Sequence, residues 1–280
     1  MTTPDFRAAL LAAQAANSSL LCVGLDPEPA KFPGPWRDDP SRIFEFCAGI
    51  VAATQDLVCA FKPQIAHFAA QRAEDQLERL IAHIHATAPG VPVILDAKRG
   101  DVGSTAEQYA REAFERYRAD AVTLNPLLGL DSIEPYMRFS GHGLILLCRT
   151  SNPGGADLQG LTLADGYRLY ERIARLAAGE WNRGGQIGLV VGATYPAEIG
   201  RVRELAPTLP LLVPGVGAQG GDAAAAVRAG WRREGPIIVS ASRSVLHAGS
   251  SIEGDDGYAA AARRVAMATR LQLQPSRALG

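Results

Sequence analysis

The chain contains few lysines and cysteines and has no long apolar segment. Three of its 28 lysine and arginine residues are lysine (Lys31, Lys62 and Lys98), and the net charge of −1 comes with no basic block that would favour nucleic acid. No apolar run approaches the ~20 residues that a membrane-spanning helix needs, and Met1 to Arg7 lacks the pattern of a signal peptide. We therefore expect a cytoplasmic protein that binds neither nucleic acid nor membrane.

The cysteines and histidines form no pattern typical of a metal or redox site. The four cysteines lack C-x-x-C spacing and three stand within apolar runs, which favours buried, reduced thiols. His83 and His85 lie two residues apart on a predicted helix, so their side chains diverge. We expect no metal ligands among them.

Lys62 and Lys98 each follow an apolar, strand-like run, Leu57 to Phe61 and Val91 to Leu95. Because arginine would serve for general surface charge, lysine here indicates a need for a compact, titratable ammonium. A charge at the end of a buried strand is unfavourable unless it has a partner or a function. These two positions are therefore candidates for an active site.

Eight short apolar runs alternate with longer, alanine-rich stretches that are compatible with helices. Continuous apolar runs are typical of parallel strands covered on both faces, and the alternation indicates βαβ units. Eight repeats without a linker favour an α/β protein with a closed (β/α)8 TIM barrel over an open sheet. The runs are Leu20 to Leu25, Leu57 to Phe61, Val91 to Leu95, Ala121 to Leu124, Leu144 to Cys148, Ile187 to Val191, Leu211 to Val213 and Pro236 to Val239.

We expect residues 1–280 to form one domain, with residues 1–18 as an N-terminal helical extension and residues 274–280 as a loose tail. The segment 6–16 is predicted to be an extra helix across the barrel floor. A capping box at 104–107 predicts a helix over 106–117, and Asp222 is predicted to cap a helix over 223–229. The long polar connection 149–165 is typical of a functional lid or of a disordered segment.

Polar side chains follow most of the predicted strands, at the rim where a barrel of this type has its active site. Their joint placement on one rim indicates a site more strongly than any one of them does. In strand order they are Asp26, Lys62, Asp96 with Lys98, Asn125, Ser151 and Arg243.

The charges at this rim favour proton donation by an ammonium group. Lys98 lies between Asp96 and Asp101, with Lys62 on the adjacent strand, and nearby opposite charges keep lysines protonated. Schiff-base chemistry requires a lysine with a depressed pKa instead. Two carboxylates ~4 Å apart repel by ~4 kcal/mol at an effective dielectric near 20, so a substrate carboxylate beside Asp96 would be destabilised until it left as carbon dioxide.

The connection after the seventh strand predicts a phosphate site. Residues 214–222 contain four glycines just before a helix, and backbone of this kind can approach an anion closely. Arg243, after the eighth strand, would add a bidentate donor, and barrels often hold phosphate after strands seven and eight. We expect a phosphorylated substrate.

At these residues the chain resembles the orotidine 5′-phosphate decarboxylase family, in its longer bacterial form (type 2). The most specific segment is residues 96–105 (DAKRGDVGST), which fits the D-x-K-x-x-D motif of that family. The segments GLDP (24–27), FKP (61–63), RTSNPG (149–154), 214–221 and SRS (242–244) follow in the expected barrel order. The resemblance covers nearly the whole chain.

The resemblance implies cofactor-free and metal-free decarboxylation of orotidine 5′-phosphate to uridine 5′-phosphate, the last step of de novo UMP synthesis. It implies that Lys98 protonates the pyrimidine carbon, that Asp96 lies against the substrate carboxylate and that Lys62 bridges Asp96 and the ribose. The substrate-binding residues that it implies are Asp26 for a ribose hydroxyl, Ser151 for the pyrimidine, and Gln219 with Arg243 for the phosphate; Asn125 and Pro214 are further candidates.

The family forms homodimers, and the resemblance implies that Asp101 and Thr105 enter the site of the neighbouring subunit. Ser151, Asn125 and Asp26 also have simpler interpretations as residues of turns. Two other functions stay open. One is a related barrel enzyme that acts on a sugar phosphate with a divalent ion and an acidic ligand at the end of strand two, where this chain has Lys62. The other is an inactive barrel that only binds nucleotides or partners.

Overall fold

The computed structural model describes residues 5–216, 221–251 and 257–277. Within these ranges, eight parallel strands alternate with helices, which confirms the predicted (β/α)8 barrel. The strands hydrogen-bond in the order β2-β1-β8-β7-β6-β5-β4-β3. They are β1 (Leu21–Leu25), β2 (Ala60–Pro63), β3 (Ile94–Arg99), β4 (Ala121–Leu124), β5 (Gly143–Arg149), β6 (Ile187–Val191), β7 (Leu211–Val213) and β8 (Ile237–Ala241).

Strands β2 and β3 close the barrel through sparse pairing. Two isolated parallel bridges join them, Phe61 to Val93 and Gln64 to Asp96. The amide of Phe61 also donates to the carbonyl of Pro92 at 3.0 Å. The seam of the barrel therefore lies between the strands that carry Lys62 and Asp96.

The helices surround the strands in the order that a barrel requires. They are α1 (Phe6–Ala16), α2 (Ile43–Thr54), α3 (Ile65–Ala69), α4 (Glu74–Thr87), α5 (Gly103–Arg111), α6 (Glu134–Met137), α7 (Gly155–Gln159), α8 (Leu169–Ala178), α9 (Pro196–Leu205), α10 (Ala223–Gly230), α11 (Arg243–Leu246) and α12 (Tyr258–Arg277), with a π-helical turn at Glu112–Arg116. As predicted, the Asp222 side chain caps α10, accepting from the amide of Ala225 at 3.0 Å.

The side chains of each strand alternate between the barrel interior and the layer of helices, because successive strand residues point to opposite faces. Cys22 and Ile94, for example, pack in an interior cluster with Phe6 and Leu10 of α1. Their neighbours along the strands join a larger cluster with the surrounding helices. Helix α1 therefore covers the floor of the barrel, as predicted, and places apolar side chains beneath the site.

Several predicted boundaries were wrong. Strands β2 and β3 extend beyond the apolar runs, so Lys62, Asp96 and Lys98 lie within strands rather than after them. Helix α5 begins at Gly103, where the preceding Val102 forms no side-chain cap, so residues 104–107 do not form the predicted capping box. Helix α12 continues to Arg277, so residues 274–277 are helical rather than loose.

All four cysteines are buried. Burial raises the pKa of the Cys22 thiol to about 12, above all because the thiolate would lose its hydration. Among the described residues, no helix is long and apolar enough to cross a membrane.

Candidate active site

The candidate site lies one layer above the apolar floor. Side chains two residues apart share a strand face, so the interior positions Ala60 and Ile94 are followed by Lys62 and Asp96. The same step in β4 leads to Thr123. The strands therefore place a polar layer directly on an apolar one, at their carboxyl ends.

Three donors surround the Asp96 carboxylate. Lys62 Nζ donates to Asp96 Oδ2 at 2.7 Å. Lys98 Nζ donates to Oδ1 at 2.6 Å, and Thr123 Oγ1 donates to the same oxygen at 2.9 Å. Asp96 and Lys62 are buried, whereas the Lys98 side chain is 46% exposed. The structure thus brings the Lys62, Asp96 and Lys98 head groups together, with only Lys98 open to solvent.

The ion pairs keep this array charged despite its burial. Burial alone would raise the pKa of Asp96, but the ammonium groups of Lys62 and Lys98 hold it well below its usual range. Burial alone would lower the pKa of Lys62, but Asp96 and Asp26 raise it well above the ordinary lysine value. Lys62 therefore stays protonated at neutral pH, and Schiff-base chemistry is disfavoured there.

Lys98 reaches Asp96 through a bulge in β3, not through regular strand geometry. Strands β3 and β4 pair at Leu95 with Val122 and next at Arg99 with Leu124, so β3 has two extra residues between these pairs. Lys98 has a φ of 48°, in the left-handed region that non-glycine residues rarely adopt. Regular strand alternation would place Asp96 and Lys98 on one face, but it does not describe this bulged segment; the two head groups meet because of the bulge.

A cavity of about 500 Å³ opens above the array. Its wall is formed by the charged residues at the strand ends and by the connections after β5, β7 and β8. It therefore joins the two parts of the predicted site. Seven of the predicted site residues line it: Asp26, Lys62, Asp96, Lys98, Ser151, Pro214 and Arg243.

Asp26 lines this cavity and has an unsatisfied acceptor atom. Its Oδ1 atom is buried and has no hydrogen-bond partner among the described residues. Buried carboxylate oxygens are normally hydrogen-bonded, because an acceptor that loses water without a replacement is unfavourable. An Asp26 oxygen in this state is suited to a hydroxyl donor from a ligand.

The connection after β5 is held in place by a buried arginine. Arg149 donates through Nε to Glu198 Oε2 at 2.6 Å, and its guanidinium lies 4.3 Å from the ring centre of Tyr195. The Gln159 side chain accepts from the amide of Thr150 at 2.8 Å. These contacts fix the backbone on both sides of the turn that presents Ser151 to the cavity.

Three predicted site residues lie outside the cavity of their own chain. Asp101 accepts from the amide of Val102 at 2.8 Å, and Thr105 is exposed on α5. Asn125 is also exposed, and its Oδ1 accepts from the amide of Leu127 at 3.1 Å, so it caps the short helix that follows. The structure gives Asn125 the role of a turn residue, and its predicted contact with the substrate stays a prediction.

The structure describes part of the side of the cavity that is predicted to bind phosphate. Pro214 and Arg243 line it, and the flanking serines Ser242 and Ser244 line it as well. The predicted phosphate ligand Gln219 lies outside the described residues.

Sequence reasoning missed Thr123 and Ser240, which also line the cavity. Both lie inside strands. One inward-facing polar residue does not interrupt the apolar run that predicts the strand, so it gives no signal of its own. The signal that would have found Thr123 is the step of two residues from Ala121, an interior floor position of the same strand.

No group of three or more histidine, cysteine, aspartate or glutamate side chains that could hold a metal ion occurs in residues 5–216, 221–251 and 257–277. The position at the end of β2, where an acidic ligand would be needed, carries Lys62, which would repel a cation.

The sequence profile of the orotidine 5'-phosphate decarboxylase / HUMPS family matches residues 19–264. A protein of Methylibium petroleiphilum named orotidine 5'-phosphate decarboxylase is 68% identical over 281 residues, which cover 98% of this chain and 100% of that relative. The solved structure of Leishmania donovani OMP decarboxylase is 37% identical with a TM-score of 0.81, and the match covers 96% of this chain and 99% of that one.

The structure of Leishmania donovani UMP synthase, a longer protein, is also 37% identical, with a TM-score of 0.84. That match covers 97% of this chain and 57% of the synthase chain. The profile match, and the relative that aligns with nearly the whole chain, agree with the charged motif at the end of β3. The chain belongs to the orotidine 5'-phosphate decarboxylase / HUMPS family.

Proposed function

We propose that this protein converts orotidine 5′-phosphate to uridine 5′-phosphate and carbon dioxide, without a cofactor or metal. The observation that carries this proposal is the Asp96 carboxylate held between the ammonium groups of Lys62 and Lys98, at 2.7 and 2.6 Å. A carboxylate that stays charged beside a solvent-accessible lysine is suited to destabilising a substrate carboxylate, and to protonating the carbanion that remains when that group leaves as carbon dioxide.

In the proposed reaction, the substrate carboxylate lies against Asp96. Two carboxylates ~4 Å apart repel by ~4 kcal/mol at an effective dielectric near 20, and this repulsion ends when the substrate group leaves as neutral carbon dioxide. The bond between pyrimidine C6 and the carboxyl carbon breaks, and its electron pair stays on C6. Lys98 then donates a proton to C6, and its neutral amine regains a proton from solvent.

The rest of the cavity binds the remainder of the nucleotide. Asp26, with its unsatisfied Oδ1 atom, accepts from a ribose hydroxyl, and Lys62 bridges the ribose and Asp96. Ser151 contacts the pyrimidine. Arg243 holds the phosphate beside Pro214. The resemblance adds Gln219, which lies outside the described residues, as a second phosphate ligand.

We further propose a homodimer in which Asp101 and Thr105 complete the site of the neighbouring subunit. Neither residue lines the cavity of its own chain. Val102, which follows Asp101 in the chain, is 48% exposed, and Leu127 and Leu128 in the turn after β4 are 65% and 52% exposed. Exposed apolar side chains clustered near a site are typical of a subunit interface.

We also propose that the protein acts in the cytoplasm, where buried, reduced cysteines are typical, and that residues 1–280 form one domain.

The test is a spectrophotometric assay of orotidine 5′-phosphate consumption in the presence of excess chelator. We expect full turnover, because the array supplies the charges without a metal ion. A strict requirement for Mg²⁺ would favour the related sugar-phosphate enzymes instead and would overturn the proposal.

Lys98→Ala is the matched variant, because Lys98 is half exposed and its removal need not disturb the core. We expect it to abolish turnover while calorimetry still detects binding of uridine 5′-phosphate. A wild-type protein that binds the nucleotide but shows no turnover would indicate the inactive binding barrel.

A further inference from the structure

The Thr123 hydroxyl lies at the centre of the bulge in β3. Thr123 is 1% exposed and belongs to β4. Its Oγ1 accepts from the amides of Ala97 and Lys98, each at 3.0 Å, and donates to Asp96 Oδ1 at 2.9 Å. A hydroxyl has one proton to donate and two lone pairs, so all of its capacity is used at once.

These contacts replace the regular hydrogen bonds between β3 and β4 that the bulge interrupts. The pairing of β3 with β4 skips from Leu95 to Arg99, so the amides between these residues have no regular partner in β4. Two of these amides, those of Ala97 and Lys98, are the ones that Thr123 accepts from. Both hydrogen bonds are partly buried, and an amide that loses water without gaining a partner is unfavourable, so the hydroxyl stabilises the bulged conformation of β3.

The conformation in question is that of Lys98. Its φ of 48° is disfavoured for a residue with a side chain, and such conformations persist only when the surroundings hold them. In this conformation its ammonium turns back to within 2.6 Å of Asp96 Oδ1. The carboxylate, in turn, is held on Oδ1 by Lys98 and Thr123 and on Oδ2 by Lys62.

We propose that Thr123 is a positioning residue, whose hydroxyl holds Lys98 in its left-handed conformation and fixes the rotation of the Asp96 carboxylate. The inference rests on the proposed function, in which Lys98 delivers the proton. Without the hydroxyl, β3 relaxes towards regular pairing and the ammonium moves away from the point where the carbanion forms.

The test compares Thr123→Val, which keeps the shape and loses all three hydrogen bonds, with Thr123→Ser, which keeps the hydroxyl. We expect Thr123→Val to lower kcat by about 100-fold, since a displacement of about 1 Å at a reacting group has this effect. Its affinity for uridine 5′-phosphate should stay close to that of the wild type, and Thr123→Ser should restore most of kcat. A merely structural role would lower kcat and nucleotide affinity together.

Crystal structures of both variants provide a readout that does not depend on turnover. We expect Lys98 to leave the left-handed region in Thr123→Val and to keep it in Thr123→Ser. A Thr123→Val protein with Lys98 unchanged and wild-type kcat would overturn the inference. If the wild-type protein failed to consume orotidine 5′-phosphate, the proposed function would be wrong, while the conformation of Lys98 in the two variants would still decide whether Thr123 holds it.

Discussion

At Asp96, burial and ion pairing act on one carboxyl group in opposite directions. Burial raises its pKa, and Lys62 and Lys98 lower it by more, so the net shift is downward. For Lys62 the signs are reversed and the net shift is upward. Each partner therefore keeps the other charged. Removing one partner of a buried pair leaves an uncompensated charge, which is far more unfavourable than losing a surface pair.

The pH dependence of stability follows from these directions. Because the pKa of Asp96 is lowered in the folded state, its contribution is present above the unfolded value of about 4 and is lost as the pH falls through the folded value. The contribution of Lys62 is present below about pH 10.4 and is lost as the pH rises through its folded value. Neither group should titrate between about pH 5 and pH 9 in the folded protein.

Asp96→Asn tests this account. We expect it to lower the unfolding free energy at pH 7 by about 3 kcal/mol, because Lys62 loses its buried partner. The variant should also lack the part of the acid-induced loss of stability that Asp96 causes in the wild type below about pH 4. Urea unfolding at a series of pH values measures both effects. Parallel acid profiles for variant and wild type would contradict the assigned pKa direction.

At the scale of the element, the connection after β5 depends on a buried arginine side chain. Arg149 is 3% exposed and pairs with Glu198 of α9 at 2.6 Å, while Arg168 also approaches Glu198, at 3.6 Å, with its own side chain half exposed. The two arginines contact the same carboxylate from a buried and an exposed side. They form a natural matched pair for mutagenesis.

Arg149→Met should loosen the turn that presents Ser151. We expect KM for orotidine 5′-phosphate to rise about tenfold, equivalent to ~1.4 kcal/mol of binding, with a smaller effect on kcat. Arg168→Met should change KM little, because exposed ion pairs contribute little. Steady-state kinetics of both variants decides the matter, and equal effects from the two would mean that burial of Arg149 is irrelevant to the turn.

At the scale of the whole molecule, the barrel brings distant segments to one rim, but part of the 96–105 motif lies outside the cavity at that rim. Asp101 and Thr105 belong to the most specific sequence segment, yet neither reaches the cavity of its own chain. Val102, next to Asp101 in the chain, is exposed, and so are Leu127 and Leu128 in the turn after β4. In the proposed homodimer, a second copy covers these apolar side chains and receives Asp101 and Thr105 in its own cavity.

Subunit complementation tests the shared site. Asp101→Ala and Lys98→Ala should each be inactive alone. In a mixed dimer, one cavity has Lys98 from its own chain and Asp101 from its partner, so co-expression should restore about one quarter of wild-type activity if subunits mix at random. Sites built from a single chain would restore none, and strict monomers in sedimentation at working concentration would also contradict the proposal.

The sequence predicted the barrel well because each strand is buried on both faces and reads as a continuous apolar run. It predicted boundaries less well at β2 and β3, because the charged residues that end the apolar runs still pair within the sheet. The helix after β3 begins at Gly103, a residue with positive φ, so local geometry outweighed the capping pattern at 104–107. At Asn125 local structure explains a candidate site residue, since this asparagine before a proline caps the short helix that follows.

By itself, the sequence determined the fold class, the family and the identity of the charged residues, because apolar periodicity and the spacing of the 96–101 motif are properties of the linear chain. Only the tertiary structure decided how these charges are used. The bulge that turns Lys98 towards Asp96, the Thr123 hydroxyl beneath it and the unsatisfied Asp26 oxygen all depend on contacts between different strands or on burial. Such contacts arise when the barrel closes, and no local pattern encodes them.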